Sequence, residues 1–174
     1  MSGAGPPECS PQNHGGRLRD DIIFSRLPQI APQEILDHMS DPRVAEHMPL
    51  STFQWDAAAV TEFVARKEEG WRRDGLGHWA FLCHGRYVGW GGFQKEGDEW
   101  DYGLVLKPGS FGLGPRISKI AIDFAAADAR IPFVTFLLPR SRKRLAALAR
   151  LGARFVGEVD HDGAVFRKYR LETA

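Results

Sequence analysis

The stretch Leu104-Val105-Leu106-Lys107-Pro108-Gly109-Ser110-Phe111-Gly112-Leu113-Gly114-Pro115-Arg116 decides how the chain is read. Its opening residues are apolar and suit a strand, and its centre is a turn of glycine, proline and serine. Behind it Ile117, Ile120, Ala121, Phe124 and Ala125 recur at helical spacing and form one apolar stripe. A glycine-rich turn entering a helix leaves backbone N–H groups directed at one point, which suits a phosphate group. Taken alone, the same turn also reads as a plain connection between strand and helix. Spacing excludes two phosphate loops. A Walker loop needs Lys and Ser or Thr directly after its last glycine, where this chain has Pro115 and Arg116. A dinucleotide fingerprint needs glycine at the position of Ile117.

Upstream, His78 to Lys107 reads as short alternating strands broken at His84-Gly85-Arg86 and Glu96-Gly97-Asp98, an antiparallel meander. In the last of these strands Trp100, Tyr102, Leu104 and Leu106 take one face, and Asp101, Gly103 and Val105 the other. Downstream, Ile131 to Leu138 is almost wholly apolar, as in a strand covered on both faces, and the intervening helix makes its neighbour parallel. A final helix carries Leu145, Leu148, Ala149 and Gly152 on one side, and Arg154 to Leu171 closes as a hairpin around Asp162-Gly163. At the other end, residues 1–16 are rich in Gly, Pro, Ser and Asn and read as a disordered tail, leaving 17–174 as one domain. Asp21 to Arg26 is a first strand, and Pro32 and Asp41-Pro42 open two short helices. Val60, Phe63, Val64 and Trp71 define a longer helix over residues 56–73, ended by Gly75 and Gly77.

Composition narrows the classes. With 174 residues and 43% apolar content the chain can bury one ordinary core. The 23 Lys and Arg balance 22 Asp and Glu, so no global field recruits nucleic acid or an anionic membrane, and neither is predicted as a partner. Cys9 and Cys83 offer no disulfide framework, and the cysteines and six histidines show no metal-ligand spacing. The absence of a run near the ~20 apolar residues of a membrane span predicts a soluble, cytoplasmic protein.

The strand Leu104 to Pro108 followed by Phe111-Gly112-Leu113-Gly114 resembles the acetyl-CoA motif of the GNAT superfamily. The order of elements from Arg17 to Leu171, with the helix end Ala147-Leu148-Ala149-Arg150-Leu151-Gly152, looks like the ribosomal-protein alanine N-acetyltransferase branch. That resemblance implies an α/β (α+β) fold with a mixed, mostly antiparallel sheet of about six to seven strands, whose parallel fourth and fifth strands splay apart. It also implies acyl transfer from acetyl-CoA, or another acyl-CoA, to a primary amine of a protein N-terminus or a small molecule. Attack would be direct, within a ternary complex. The pantetheine arm would pair with the fourth strand at Val105 and Leu106, where a backbone N–H would also serve the oxyanion. The pyrophosphate would lie on the turn formed by Gly109, Ser110, Phe111, Gly112, Leu113, Gly114, Pro115 and Arg116.

Several positions depart from that pattern. Gly109 stands where Gln or Arg is usual, and Pro115 has no N–H to give. Arg116 replaces a small residue and either crowds the pyrophosphate or pairs with it. Leu148 occupies the place of the Tyr that protonates the departing thiolate, so no built-in acid is predicted. Ser141 takes the place of an Asn; it either hydrogen-bonds the thiol or, the favoured reading, caps the helix after Pro139. Asp101 aligns with a fourth-strand carboxylate and is the expected base, with Glu99 in reserve; the plain alternative is a carboxylate paired with a neighbouring cation. Arg140, Arg142, Lys143 and Arg144 either reach the 3′-phosphate of CoA or solvate a helix face. His78 and His84 receive no role, and most of Trp71, Trp79, Trp90 and Trp100 are assigned to the core. Two other classes compete, a CoA-binding module that has lost catalysis and a basic-helix interaction protein; monomer and homodimer are both compatible.

Overall fold

The computed structural model describes residues 21–48, 54–143 and 145–174, so the predicted tail, Cys9 and Arg144 lie outside it. Dipeptide turns fold the sheet back on itself. His84 and Gly85 (φ 50° and 74°) join β2 (His78–Cys83) to β3 (Arg86–Glu96), and Gly97 (φ 61°) leads into β4 (Glu99–Leu106). Asp162 and Gly163 (φ 51° and 82°) join β6 (Arg154–His161) to β7 (Ala164–Glu172). Paired positive φ values match the right-handed twist of flanking strands, which is why Gly, Asp and His occupy them. With β1 (Ile22–Ser25) and β5 (Phe133–Pro139), the seven strands form one sheet in the order β1-β2-β3-β4-β5-β7-β6. Within it β4 and β5 are parallel and the other neighbours antiparallel, as predicted.

Helices cover both faces. α1 (Pro32–Met39), α2 (Pro42–Ala45) and α3 (Ala57–Asp74) lie on one; Leu27, Ile35, Val60, Phe63, Ala80, Tyr87 and Trp90 are buried beneath them. The Asp56 carboxylate accepts from the Ala59 amide at 2.8 Å and starts α3, and left-handed Gly75 ends it. α4 (Gly114–Ala127) covers the other face through Ile117, Ala121 and Ala125, packed with Trp79, Phe93, Tyr102 and Val134. The predicted apolar stripe is therefore the buried side of that helix. Gly92 holds β3 close to its neighbour: it has φ 135°, and a Cβ there would stand 2.7 Å from the Gly77 carbonyl oxygen.

Two local readings are corrected. The turn after β4 is ordered as a 3-10 helix, Pro108–Leu113, that runs straight into α4. The final helix, α5 (Ala146–Leu151), begins later than expected, with Leu145 at its N-cap. Ser141 lies in the turn after β5, exposed and far from that cap position. Backbone bonding explains the delay. The Arg142 amide donates to the Pro139 carbonyl, and the Arg167 guanidinium donates to the Arg142 carbonyl at 2.6 Å, so β7 holds this segment in a turn.

Candidate active site

β4 and β5 share two rungs, Trp100 with Val134 and Asp101 with Thr135, and then part. Each strand follows its other neighbour. β4 stays paired to β3 as far as Leu106, and β5 to β7 along its whole length, so sheet twist drives the two apart. Beyond Asp101 the β5-facing edge of β4 has no ladder partner. The gap opens into a cleft of about 1780 Å³. Val105, Leu137 and Leu138 line its strand walls; Gly114, Pro115, Ser118 and Ile122 come from the start of α4, and Leu145 and Leu148 from the α5 side. On the α3 side Phe63, Lys67, His78, Trp90 and Gln94 complete it.

At the turn, Gly109, Phe111, Gly112, Pro115 and Arg116 are exposed, and Ser110, Leu113 and Gly114 half-buried. A Cβ on Gly109 or Gly112 would meet no atom within 4 Å, and neither residue has a positive φ. Neither the backbone nor a protein neighbour therefore requires glycine there; the freed space faces outward. Fewer amides are available than the sequence suggested. Ser110 N–H donates to the Lys107 carbonyl at 2.8 Å, Gly114 N–H donates to the Phe111 carbonyl, and Pro115 has none. Arg116 is exposed and lies outside the residues lining the cleft.

Asp101 sits on the last shared rung, where the Thr135 hydroxyl donates to its Oδ1 at 3.2 Å. Burial raises its pKa to about 7, against the lowering effect of the Thr135 hydrogen bond. Its carboxylate borders a smaller cavity of about 190 Å³ with Glu96, Glu99, His161 and Lys168; Leu137 is common to both cavities. Gly103, two residues further along the same face, lines the large cleft, and a Cβ on it would meet nothing within 4 Å. Glu99 is tied by a short salt bridge to Lys168, so the reserve carboxylate already has a cation.

Of the basic cluster, Arg140 pairs with Glu158 at 2.7 Å, whereas Arg142 and Lys143 line the cleft. Leu148 also lines it, half-buried against the α4-side core. Ser141 is not among the lining residues. Trp79, Trp90 and Trp100 are buried as predicted and Trp71 half-buried, but Trp90 also faces the cleft.

Two features were not foreseen. Tyr102 Oη and Ser118 Oγ hydrogen-bond at 3.0 Å, and both residues line the cleft. Lys67 projects from α3 with its Nζ 4.9 Å from the Trp90 ring centroid and 5.7 Å from that of Phe63. Burial lowers its pKa to about 8. The signal was present in the sequence: Lys67 interrupts the stripe Val60, Phe63, Val64, Trp71 at a position where an apolar residue would continue it.

No family model matches the sequence, and no curated protein does either. Solved structures do match, and the fold is that of the GNAT acetyltransferases. A GNAT-family acetyltransferase from Bacillus anthracis superposes with a TM-score of 0.70 at 13% identity, covering 89% of this chain and 97% of that one. An acetyltransferase from Agrobacterium tumefaciens gives 0.68 at 17% identity, covering 94% and 99%. An aminoglycoside acetyltransferase in complex with coenzyme A gives 0.69 at 12% identity, covering 87% and 93%.

Proposed function

We propose that this chain transfers an acyl group from acetyl-CoA, or another acyl-CoA, to a primary amine. The parting of β4 from β5 carries the reading: it leaves an unladdered strand edge beside a cleft of about 1780 Å³. A single small ligand takes roughly 300–1,000 Å³, so the cleft suits two substrates side by side. An extended arm bearing amides pairs with such an edge as an added strand does. Solved structures of the same fold, among them an acetyltransferase in complex with coenzyme A, support the same assignment.

The residues present fit the donor. Leu106 offers backbone to the arm on the open edge of β4, while the Val105 carbonyl is turned towards β3; the turn from Gly109 to Arg116 offers the pyrophosphate an open approach at Gly109 and Gly112, at the positive end of α4. Arg142 and Lys143 line the cleft as phosphate partners. When bound, acetyl-CoA supplies the acyl group as a thioester, the new N–C bond replacing its C–S bond. Asp101 then serves as the base. Its pKa near 7 lets the carboxylate exist at neutral pH and still hold a proton taken from the amine. The missing side chain at Gly103 leaves room for a water between that carboxylate and the cleft. Ser141, exposed and outside the lining, has no part in this scheme.

The test is thermal unfolding with and without acetyl-CoA, followed by thiol-release assays over a panel of primary amines that includes N-terminal peptides. A stabilised protein that releases thiol only with an amine present supports the reading. Stabilisation without turnover would identify a CoA-binding module, and no stabilisation would remove the assignment altogether.

A further inference from the structure

The α3-side wall of the cleft has a charge pattern that the proposed reaction does not use. Lys67 reaches over Trp90 and Phe63, and the polar group it meets is Gln94 Oε1, at a long 3.4 Å. Among the described residues no carboxylate lies within salt-bridge distance of its Nζ. Glu96 acts on Lys67 through its charge without an ion pair and accepts from Gln94 Nε2 at 2.6 Å, while Glu69 pairs with Arg72 and Asp74 with Arg73. Beside Lys67, His78 lines the same wall, and its fully buried Nδ1 has no partner. A cation on an aromatic surface with a single long hydrogen bond keeps donors for a further acceptor, and beside it the buried His78 Nδ1 has no partner.

We infer that the acceptor is a small amine carrying a carboxylate, and that Lys67 holds this carboxylate against Trp90 on the α3 side of the cleft. The inference rests on the acyl-transfer reading for the amine, but the carboxylate subsite stands on its own geometry. Burial that weakens the Lys67 charge in the free protein is offset once an anion arrives, so the subsite favours an anion over a neutral group. A polycationic amine would meet Lys67 and the neighbouring lining residue Arg66 as like charges.

The experiment compares binding and turnover for a panel of amino acids against the corresponding amino-acid amides, with spermidine and kanamycin as polycationic probes. Binding is followed by tryptophan fluorescence at saturating CoA, so it reports even where no acyl transfer occurs. The wild-type chain is expected to bind at least one amino acid about tenfold or more tightly than its amide. Lys67→Met, which keeps the length and apolar stem, is expected to abolish that ratio while the affinity for CoA is unchanged. Lys67→Arg is expected to keep a preference for the acid. Equal affinity for acids and amides across the panel overturns the inference, as does a ratio that survives Lys67→Met or a preference for the polycations. Carboxylate binding without turnover would retain the subsite and remove the acyl-transfer reading. The reverse result, turnover of amides and acids alike, would do the opposite.

Discussion

At Asp101, position alone changes the acidity of a carboxylate. Its place on the final β4–β5 rung leaves it half-buried with its carboxylate largely withdrawn from water, which penalises the charged form, so its pKa rises from the ordinary carboxylate range to about 7. Activity in the proposed reaction is therefore expected to rise with pH through about 7 as Asp101 loses its proton. Asp101→Asn should lower kcat/KM by 10²-fold or more and remove that limb from the pH–rate profile. Stability should respond with the opposite sign. The folded protein keeps the proton to higher pH than the unfolded chain, so this group costs stability progressively as pH rises from about 4 towards 7. Asp101→Asn is accordingly expected to melt above the wild type at pH 8, with the gap closing by pH 4. A lower melting temperature at pH 8 would show that the carboxylate is compensated in the fold. The alternation of β4 places Asp101 on its face from the sequence alone, whereas its hydrogen bond comes from Thr135, a residue 34 positions away.

The turn between β4 and α4 is legible in the sequence as a glycine-rich connection from strand to helix, but its backbone is not. A 3-10 helix over Pro108–Leu113 uses amides that the sequence reading left for a ligand. What remains is space, and it is testable. Gly112→Trp is expected to fold with an unchanged melting temperature, because a Cβ there meets nothing, and to lose the stabilisation by acetyl-CoA. An undiminished shift in that variant would separate the turn from the donor site. Gly92 provides the contrast. Gly92→Ala puts a Cβ 2.7 Å from the Gly77 carbonyl oxygen at φ 135°, and should cost roughly 1–3 kcal/mol in urea unfolding. The late start of α5 has the same kind of cause. Nothing local in the sequence announces that Arg167 will hold the Arg142 carbonyl, so the apolar spacing alone starts the helix too early.

At the scale of the whole molecule, two buried histidines among the described residues weigh against acid. Burial lowers His38, whose Nδ1 lies 2.8 Å from Tyr87 Oη, to about 4, and lowers His78 well below its usual range. The unfolded chain binds these protons near pH 6.5 and the folded chain resists them, so stability is complete above about 6.5 and falls as the pH drops towards 4. The urea midpoint should decline over that window, and more steeply in Asp101→Asn, which lacks the opposing contribution. A flat midpoint from pH 7 to 4.5 in Asp101→Asn, where the opposing contribution is gone, would contradict the burial of both rings. Acetyl-CoA binding is the complementary global test: at ~100 times its dissociation constant it should add roughly 2.7 kcal/mol to stability. The sequence by itself determined the elements, their order and the parallel β4–β5 pair, because periodicity, turn residues and connection lengths are local and topology follows from them. The tertiary structure alone decided how far β4 and β5 stay paired, that the Asp101 carboxylate is desolvated, and that Lys67 lies over Trp90 on the α3-side wall of the cleft. Those properties depend on twist, desolvation and contacts between residues distant in the chain, which no window of sequence contains.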